Sequence, residues 1–194
     1  SDILEGDKRF IVKKQKNGGL SNARNNGFKV ARGEYVLFLD SDDLFELTLL
    51  EDVYQKIQET GVDVVIYNHT VLDTITGHKS HAIHDFSLVK SKKQFTAESI
   101  SKVVFNIFGN QVWTKVFRRE LLEKNNILSN EKLKRAEDIP LTYAALLLAK
   151  NIAAVDKGLV AYRVNRGDSN SDLLAEYYKD IFGALDMLYK QLQS

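Results

Sequence analysis

The sequence predicts an α/β fold, a mostly parallel twisted sheet with helices on both faces. Two runs carry that expectation, Glu34–Leu39 and Val62–Tyr67, both short and dominated by branched and aromatic residues, as buried strands are. Around them apolar residues recur every three or four positions, the spacing of helices that pack on a sheet. Strands alternating with helices give the order of βαβ units.

In chain order, Phe10–Val12 reads as a first short strand and Asn17-Gly18-Gly19 as a turn, where glycine accepts positive φ. Leu20, Ala23, Gly27 and Val30-Ala31 mark a helix, capped by Ser21 or Asn22 and stopped near Gly33. After strand 34–39, residues Leu49, Leu50, Val53 and Ile57 line one side of a second helix that stops near Gly61. Beyond Tyr67, Val71–Ile75 reads as an edge strand and Thr76-Gly77 as a turn. A helix over 97–108, a strand over Val112–Arg118 and a helical turn over Glu120–Asn125 follow. Ile139–Lys150 is a strongly apolar helix with Pro140 in its first turn, where a missing N–H costs little. Ile152–Val155 and Leu159–Arg163 read as closing strands, and Ala175–Leu192 as an amphipathic helix. In that last helix Tyr177, Tyr178, Ile181, Phe182 and Leu185 suit core packing better than a membrane or partner contact.

Composition narrows the function. The 194 residues are 44% hydrophobic, enough for one sizeable core. Basic and acidic residues number 27 and 26, so no electrostatic footprint for nucleic acid exists. The absence of cysteine excludes disulfides, thiolate metal sites and thiol nucleophiles, and makes a reducing cytoplasm the simplest compartment. No apolar run approaches the roughly 20 residues that span a bilayer, and no secretory leader is recognisable.

Most of the chemistry sits in Asp40-Ser41-Asp42-Asp43, directly after the clearest strand. Ligands of open α/β sheets bind outside the carboxyl ends of the strands. Acids so close repel one another, and a hard divalent cation, Mg²⁺ or Mn²⁺, relieves that repulsion. On the residues alone an acidic helix-capping loop explains the run equally well.

The stretch Asn17-Gly18-Gly19-Leu20-Ser21-Asn22-Ala23-Arg24-Asn25-Asn26-Gly27, followed by Ala31 to Asp43, resembles family 2 glycosyltransferases of the GT-A fold. Their N-G-G-x-S-x-A-R-N-x-G helix feeds a strand ending in D-S-D-D, the D-x-D motif. The resemblance implies that Asp42 ligates a metal, Mn²⁺ or Mg²⁺, on the donor diphosphate, with Asp40 on the ribose or a metal-bound water. It further implies that Asn17 and Arg24 hold the nucleotide. Glu137-Asp138 matches the family's E-D pair, making Asp138 the expected base, although helix capping is the simpler reading without the family. Asn110 to Leu122 resembles the W-x-K-L-Y-R-R-x-L-L stretch, placing Trp113, Lys115 and Glu137 toward the acceptor; a lone Trp is otherwise core packing. Ala161 to Ser169 resembles a Y-x-R…S-x-S segment in which Arg163 counters the diphosphate, with Gly167 and Ser169 on a lid or hairpin.

The function so implied is inverting transfer of a sugar from a nucleotide-sugar, UDP-linked, to a hydroxyl of a glycan or lipid-linked acceptor. The setting is bacterial surface polysaccharide assembly, in the cytoplasm at the inner face of the membrane. Residues 1–96 would be the remainder of the nucleotide-sugar core and 97–194 the acceptor side of the same domain. The family's first strand, helix and second strand ending in D-D-G-S have no counterpart here, unless Ser1-Asp2 is its tail. That predicts an exposed sheet edge and weak transfer by this polypeptide alone. Two rivals remain. One is a non-catalytic nucleotide- or glycan-binding remnant. The other is a haloacid-dehalogenase-type phosphatase, using Asp40 as nucleophile and Gly167 to Asp172 as its later metal motif, though Leu44 stands where Thr or Val belongs. His78, His81 and His84 are spaced by three, but no helical apolar face supports zinc binding.

Overall fold

A computed structural model of the chain describes residues 7–81, 83–100, 104–165 and 174–193. Ser1, Asp2, Gly167, Ser169 and the segment to Asp172 lie outside the described residues, as do the side chains of Tyr177 and Tyr178.

Six helices and five strands make up the described fold: α1 (Leu20–Val30), β1 (Tyr35–Leu37), β2 (Leu44–Phe45), α2 (Leu49–Thr60), β3 (Val64–Asp73), α3 (Val104–Ile107), β4 (Lys115–Arg118), α4 (Arg119–Lys124), α5 (Asp138–Leu148), β5 (Ile152–Val164) and α6 (Leu174–Gln193). The strands form one sheet in the order β1-β4-β3-β5-β2. β3 and β5 pair in parallel, whereas β1 with β4, β4 with β3 and β2 with β5 pair antiparallel. The α/β class holds, with β1, β3 and β5 pointing the same way. The sheet is mixed, however, because β4 is threaded between β1 and β3 in the opposite direction.

Helices do cover both faces. Along β3, Val64 and Ile66 enter one core with Phe117, Ile152, Ala154 and the helices α4, α5 and α6. Val65 and Tyr67, on the other face by strand alternation, join Val116, Ala153, Val155 and the α2 residues Leu49 and Val53. Helix α2 ends as glycine allows: Gly61 has φ 62° and returns its N–H to Ile57 O at 2.7 Å.

Several elements differ from the sequence expectation. Phe10–Val12 forms no strand; the three side chains are 51%, 51% and 69% exposed, and among the described residues no strand pairs with them. Helix α1 starts behind Gly19, with neither Ser21 nor Asn22 capping it. Val71–Ile75 is no edge strand. Its first residues continue β3 at the centre of the sheet, where register shifts around Asn68 let one long strand absorb what reads as two. Ile152–Val155 and Leu159–Arg163 merge likewise into β5. Residues 97–108 yield only a 3₁₀ turn at Glu98–Ile100 and the short α3 among the described residues.

Lys115, assigned to the acceptor side from sequence, is fully buried and cannot face a cleft. Its Nζ donates to Phe108 O, Gln111 O and Thr114 Oγ1 at 2.8–2.9 Å, bracing the turn that leads into β4. Burial pulls this ammonium down to about 7, with Asp138 pulling the other way. Between about 7 and the ordinary value of 10.5 the unfolded chain therefore binds more protons than the folded one, and stability rises with pH. Denaturant titrations at pH 7 and pH 9.5 should show wild type gaining a few kcal/mol that Lys115→Met does not gain. Parallel pH slopes for the two proteins would refute this.

Candidate active site

The acidic turn follows β1 and hangs from β5. Asp43 is 7% exposed, and its Oδ1 accepts the backbone N–H of Arg163 at 3.0 Å. Arg163 Nη1 in turn donates to Asp42 O at 3.3 Å. With β2 paired to Val160 and Ala161, these bonds fix the turn at the carboxyl end of β1 and against β5. Oxygen atoms of Asp40, Asp42 and Asp43 all lie within 4.8 Å of one another. Carboxylates at that spacing suit a hard divalent cation. Asp43 is taken up by the turn, so Asp42, exposed, and Asp40, half-buried, are the pair that fits such an ion.

Arg24 is the centre of the site. Only 8% of its side chain is exposed. Nη1 donates to Asp138 Oδ1 at 2.5 Å and lies 3.7 Å from Glu137 Oε1, while Nη2 donates to Asp40 Oδ1 at 3.1 Å. Burial works against the guanidinium charge, but Asp138 and Asp40 outweigh it and hold Arg24 above its ordinary value. The resemblance gave Arg24 to the nucleotide; the geometry gives it to three carboxylates. Asn17, expected beside it on the donor, is exposed and accepts Gly19 N–H at 3.0 Å, as a turn residue does.

Asp138 opens α5 without capping it, for no side-chain cap bond exists at that helix start. Its Oδ1 faces Arg24 and its Oδ2 accepts Val112 N–H at 3.1 Å. Burial raises its pKa, Arg24 and the Val112 N–H opposing, and the net shift is upward. Burial likewise raises Glu137, with Asp138 adding to the effect. Asp138 is thus a buried acid tied to a cation and a backbone N–H of another segment, and it does not cap its own helix.

Trp113 is 6% exposed and belongs to the core: Tyr67 Oη donates to its carbonyl, and its ring stacks on Tyr162 at 5.7 Å. His78 and His81 are exposed on a turn-rich segment, while the His84 ring turns inward onto His69, so the three-residue spacing brings no trio together.

Sequence reading passed over Asn25. It is 6% exposed, and its amide donates to Ser129 O at 2.9 Å and accepts Ser129 N–H at 3.0 Å. That reciprocal pair ties α1 to the segment preceding Asp138, across 104 positions of chain. Only its place next to Arg24 in the motif hinted at a role.

Known proteins resemble this chain in sequence and fold. A profile described as glycosyl transferase family 2 matches residues 1–125. The chain is 32% identical over 164 residues to the uncharacterized glycosyltransferase EpsJ of Bacillus subtilis, covering 84% of this chain and 47% of that protein. It is 31% identical over 148 residues to the poly(ribitol-phosphate) beta-N-acetylglucosaminyltransferase TarP of Staphylococcus aureus, covering 74% and 41%. The crystal structure of S. aureus TarS 1-349 in complex with UDP-GlcNAc superposes with a TM-score of 0.68 at 25% identity, covering 90% of this chain and 48% of that one. The chain thus spans about half the length of EpsJ and of that TarS structure. These matches displace the phosphatase reading. A strand-end acid cluster alone left the lineage open, but the profile spans well over half of the residues, and the chain belongs to glycosyl transferase family 2.

Proposed function

We propose that this chain carries the reacting carboxylates of an inverting glycosyltransferase. It moves a sugar from a UDP-linked donor to a hydroxyl of a bacterial surface glycan or its lipid-linked precursor, at the inner face of the membrane. One observation carries the reading: a single buried guanidinium joins Asp40, at the strand end, to Asp138, at the helix start. Donor-side and acceptor-side acids are thereby held at fixed spacing, as displacement at one sugar carbon requires. UDP and UDP-GlcNAc in the complexes of TarS, and the acceptor polymer in the name of TarP, support the substrate class. No described helix is long and apolar enough to cross a membrane.

Asp42 and Asp40 would hold Mn²⁺ or Mg²⁺, which when bound supplies positive charge to the donor diphosphate. Asp138 takes the proton of the acceptor hydroxyl as that oxygen attacks the anomeric carbon. The bond from that carbon to the diphosphate oxygen breaks, the nucleoside diphosphate leaves with the electron pair, and configuration inverts. Burial makes Asp138 a better proton acceptor than a surface aspartate, and Arg24 and the Val112 N–H oppose that upward shift. Arg163, alongside the acidic turn, is placed to counter the leaving diphosphate.

Two measurements test this. In calorimetry with MnCl₂ and UDP, Asp42→Asn should weaken binding about a hundredfold with little change in Tm. Asp43→Asn should instead lower Tm, because its carboxylate closes the turn. Equal binding by wild type and Asp42→Asn would refute the metal assignment. In a screen of UDP-sugars with surface-glycan acceptors, Asp138→Asn should lower turnover by about 10²- to 10⁴-fold while UDP–Mn²⁺ affinity stays within about twofold. Binding with no base-dependent turnover in any combination would favour the non-catalytic remnant.

A further inference from the structure

Beside the base lies a group of polar atoms that the reaction above leaves unused. His69, in the irregular stretch of β3, is 4% exposed, and its Nδ1 is buried with no hydrogen-bond partner. Nε2 of His84 and Oε1 of Gln111 are in the same condition. These residues are neighbours. The two imidazole centroids are 5.1 Å apart. Gln111 Oε1 and His84 Cε1 both crowd Gly109, where a Cβ would stand 2.1 Å and 2.9 Å from them. Gly109 has φ 53°, so the backbone there favours the one residue whose missing Cβ makes room for the Gln111 amide. A buried polar group without a partner is costly, and three on adjoining side chains mark a place shaped for a polar occupant.

The location bears on the reaction. Gln111 directly precedes Val112, whose N–H holds Asp138. His69 packs edge-on against Trp113 at 4.9 Å, and Trp113 stacks on Tyr162, the neighbour of Arg163. The cluster therefore sits between the segment that holds the base and the strand that carries Arg163.

Its chemistry selects among ligands. A neutral imidazole and a carboxamide each offer both a donor and an acceptor, which matches a hydroxyl group. Both histidines are neutral at physiological pH: burial, then His84 and Lys115, hold His69 down to about 4, and burial lowers His84 as well. The adjacent Lys115 commits its Nζ to Phe108 O, Gln111 O and Thr114 Oγ1. Nothing in the cluster thus offers a charge to a phosphate or carboxylate.

We propose that His69, His84 and Gln111 form a specificity subsite for the hydroxyl groups of a neutral polyol unit, a sugar or an alditol, next to Asp138. The half-buried Gln111 side chain turns aside over Gly109 to admit it. The inference rests on the transferase reading for the reaction it serves, and on the cluster alone for the binding. The donor's sugar and a unit of the acceptor share this chemistry, and proximity to the base favours the acceptor.

Imidazole ¹³C–¹H spectra of histidine-labelled protein test the subsite, with His69→Phe and His84→Phe used to assign the signals. The probes are ribitol, N-acetylglucosamine, inorganic phosphate, and UDP-GlcNAc with MnCl₂, each titrated separately. Saturable shifts of both signals with ribitol or N-acetylglucosamine are expected, and none with phosphate. Gln111→Met should weaken that response about tenfold, through loss of a hydroxyl partner. Shifts only with UDP-GlcNAc would support the subsite and assign it to the donor sugar. Signals unmoved by every polyol and by UDP-GlcNAc, meaning an ordered water only, or moved by phosphate alone, would overturn it. The wild-type titration needs no variant, so misfolding of a substituted protein does not obscure the answer. Polyol shifts without UDP–Mn²⁺ binding would sink the transferase reading and spare the subsite; UDP–Mn²⁺ binding with shifts from neither the polyols nor UDP-GlcNAc would do the reverse.

Discussion

A guanidinium with 8% of its side chain exposed lies among Asp40, Glu137 and Asp138, which come from a strand end and a helix start more than 90 positions apart. Removing one partner of a buried ion pair costs about 3–5 kcal/mol, because the remaining charges are left uncompensated. Arg24 therefore does more than occupy a surface of the cleft. It places a positive charge between the acid of the β1 turn and the acids at the start of α5. Without it, burial and mutual repulsion would drive protons onto Asp138 and Glu137, both of which already lie above their ordinary values.

The rest of the fold serves to hold that arrangement. Asn25, one position beyond Arg24, locks α1 to the Ser129 backbone and so fixes the helix that delivers the guanidinium. The opposite oxygen of Asp138 is held by Val112 N–H, in the turn that buried Lys115 braces from beneath. Asp43 and Arg163 stitch the acidic turn to β5. Threading β4 antiparallel between β1 and β3 brings its N-terminal end, with Val112 and Trp113, to the same side of the sheet as the carboxyl end of β1. A strictly parallel arrangement would have put that turn at the opposite end.

How much of this could be read from the residues depends on whether the signal was local. Helices α1, α2 and α5 and the buried run ending at Asp40 were legible, since their periodicity, and for α2 the Gly61 stop, are properties of consecutive positions. Phe10–Val12 misled because an apolar run reads as a strand only when another strand lies beside it, and none does here. β3 and β5 each read as two strands because polar breaks near Asn68 and Asp156 resemble turns, whereas pairing along their length carries them through. The D-S-D-D turn and the Glu137-Asp138 pair, both singled out in the sequence, lie at the two ends of the Arg24 bridge. The partner of each acid was not legible, because Arg24, Val112 and Arg163 meet them only through long-range packing. Lys115 shows the limit: a lysine in a motif suggests a ligand contact, and no sequence rule reveals that it is wholly buried.

The proposed transfer requires a cation at the strand end beside an intact Arg24–Asp138 pair. Crystals grown with MnCl₂ and UDP, measured at the manganese absorption edge, address that directly. The expected result is an anomalous peak bonded to Asp42 and Asp40, with the Arg24 guanidinium still shared between Asp40 and Asp138. Manganese absent from that turn, or Arg24 drawn off Asp138 when it is present, would contradict it.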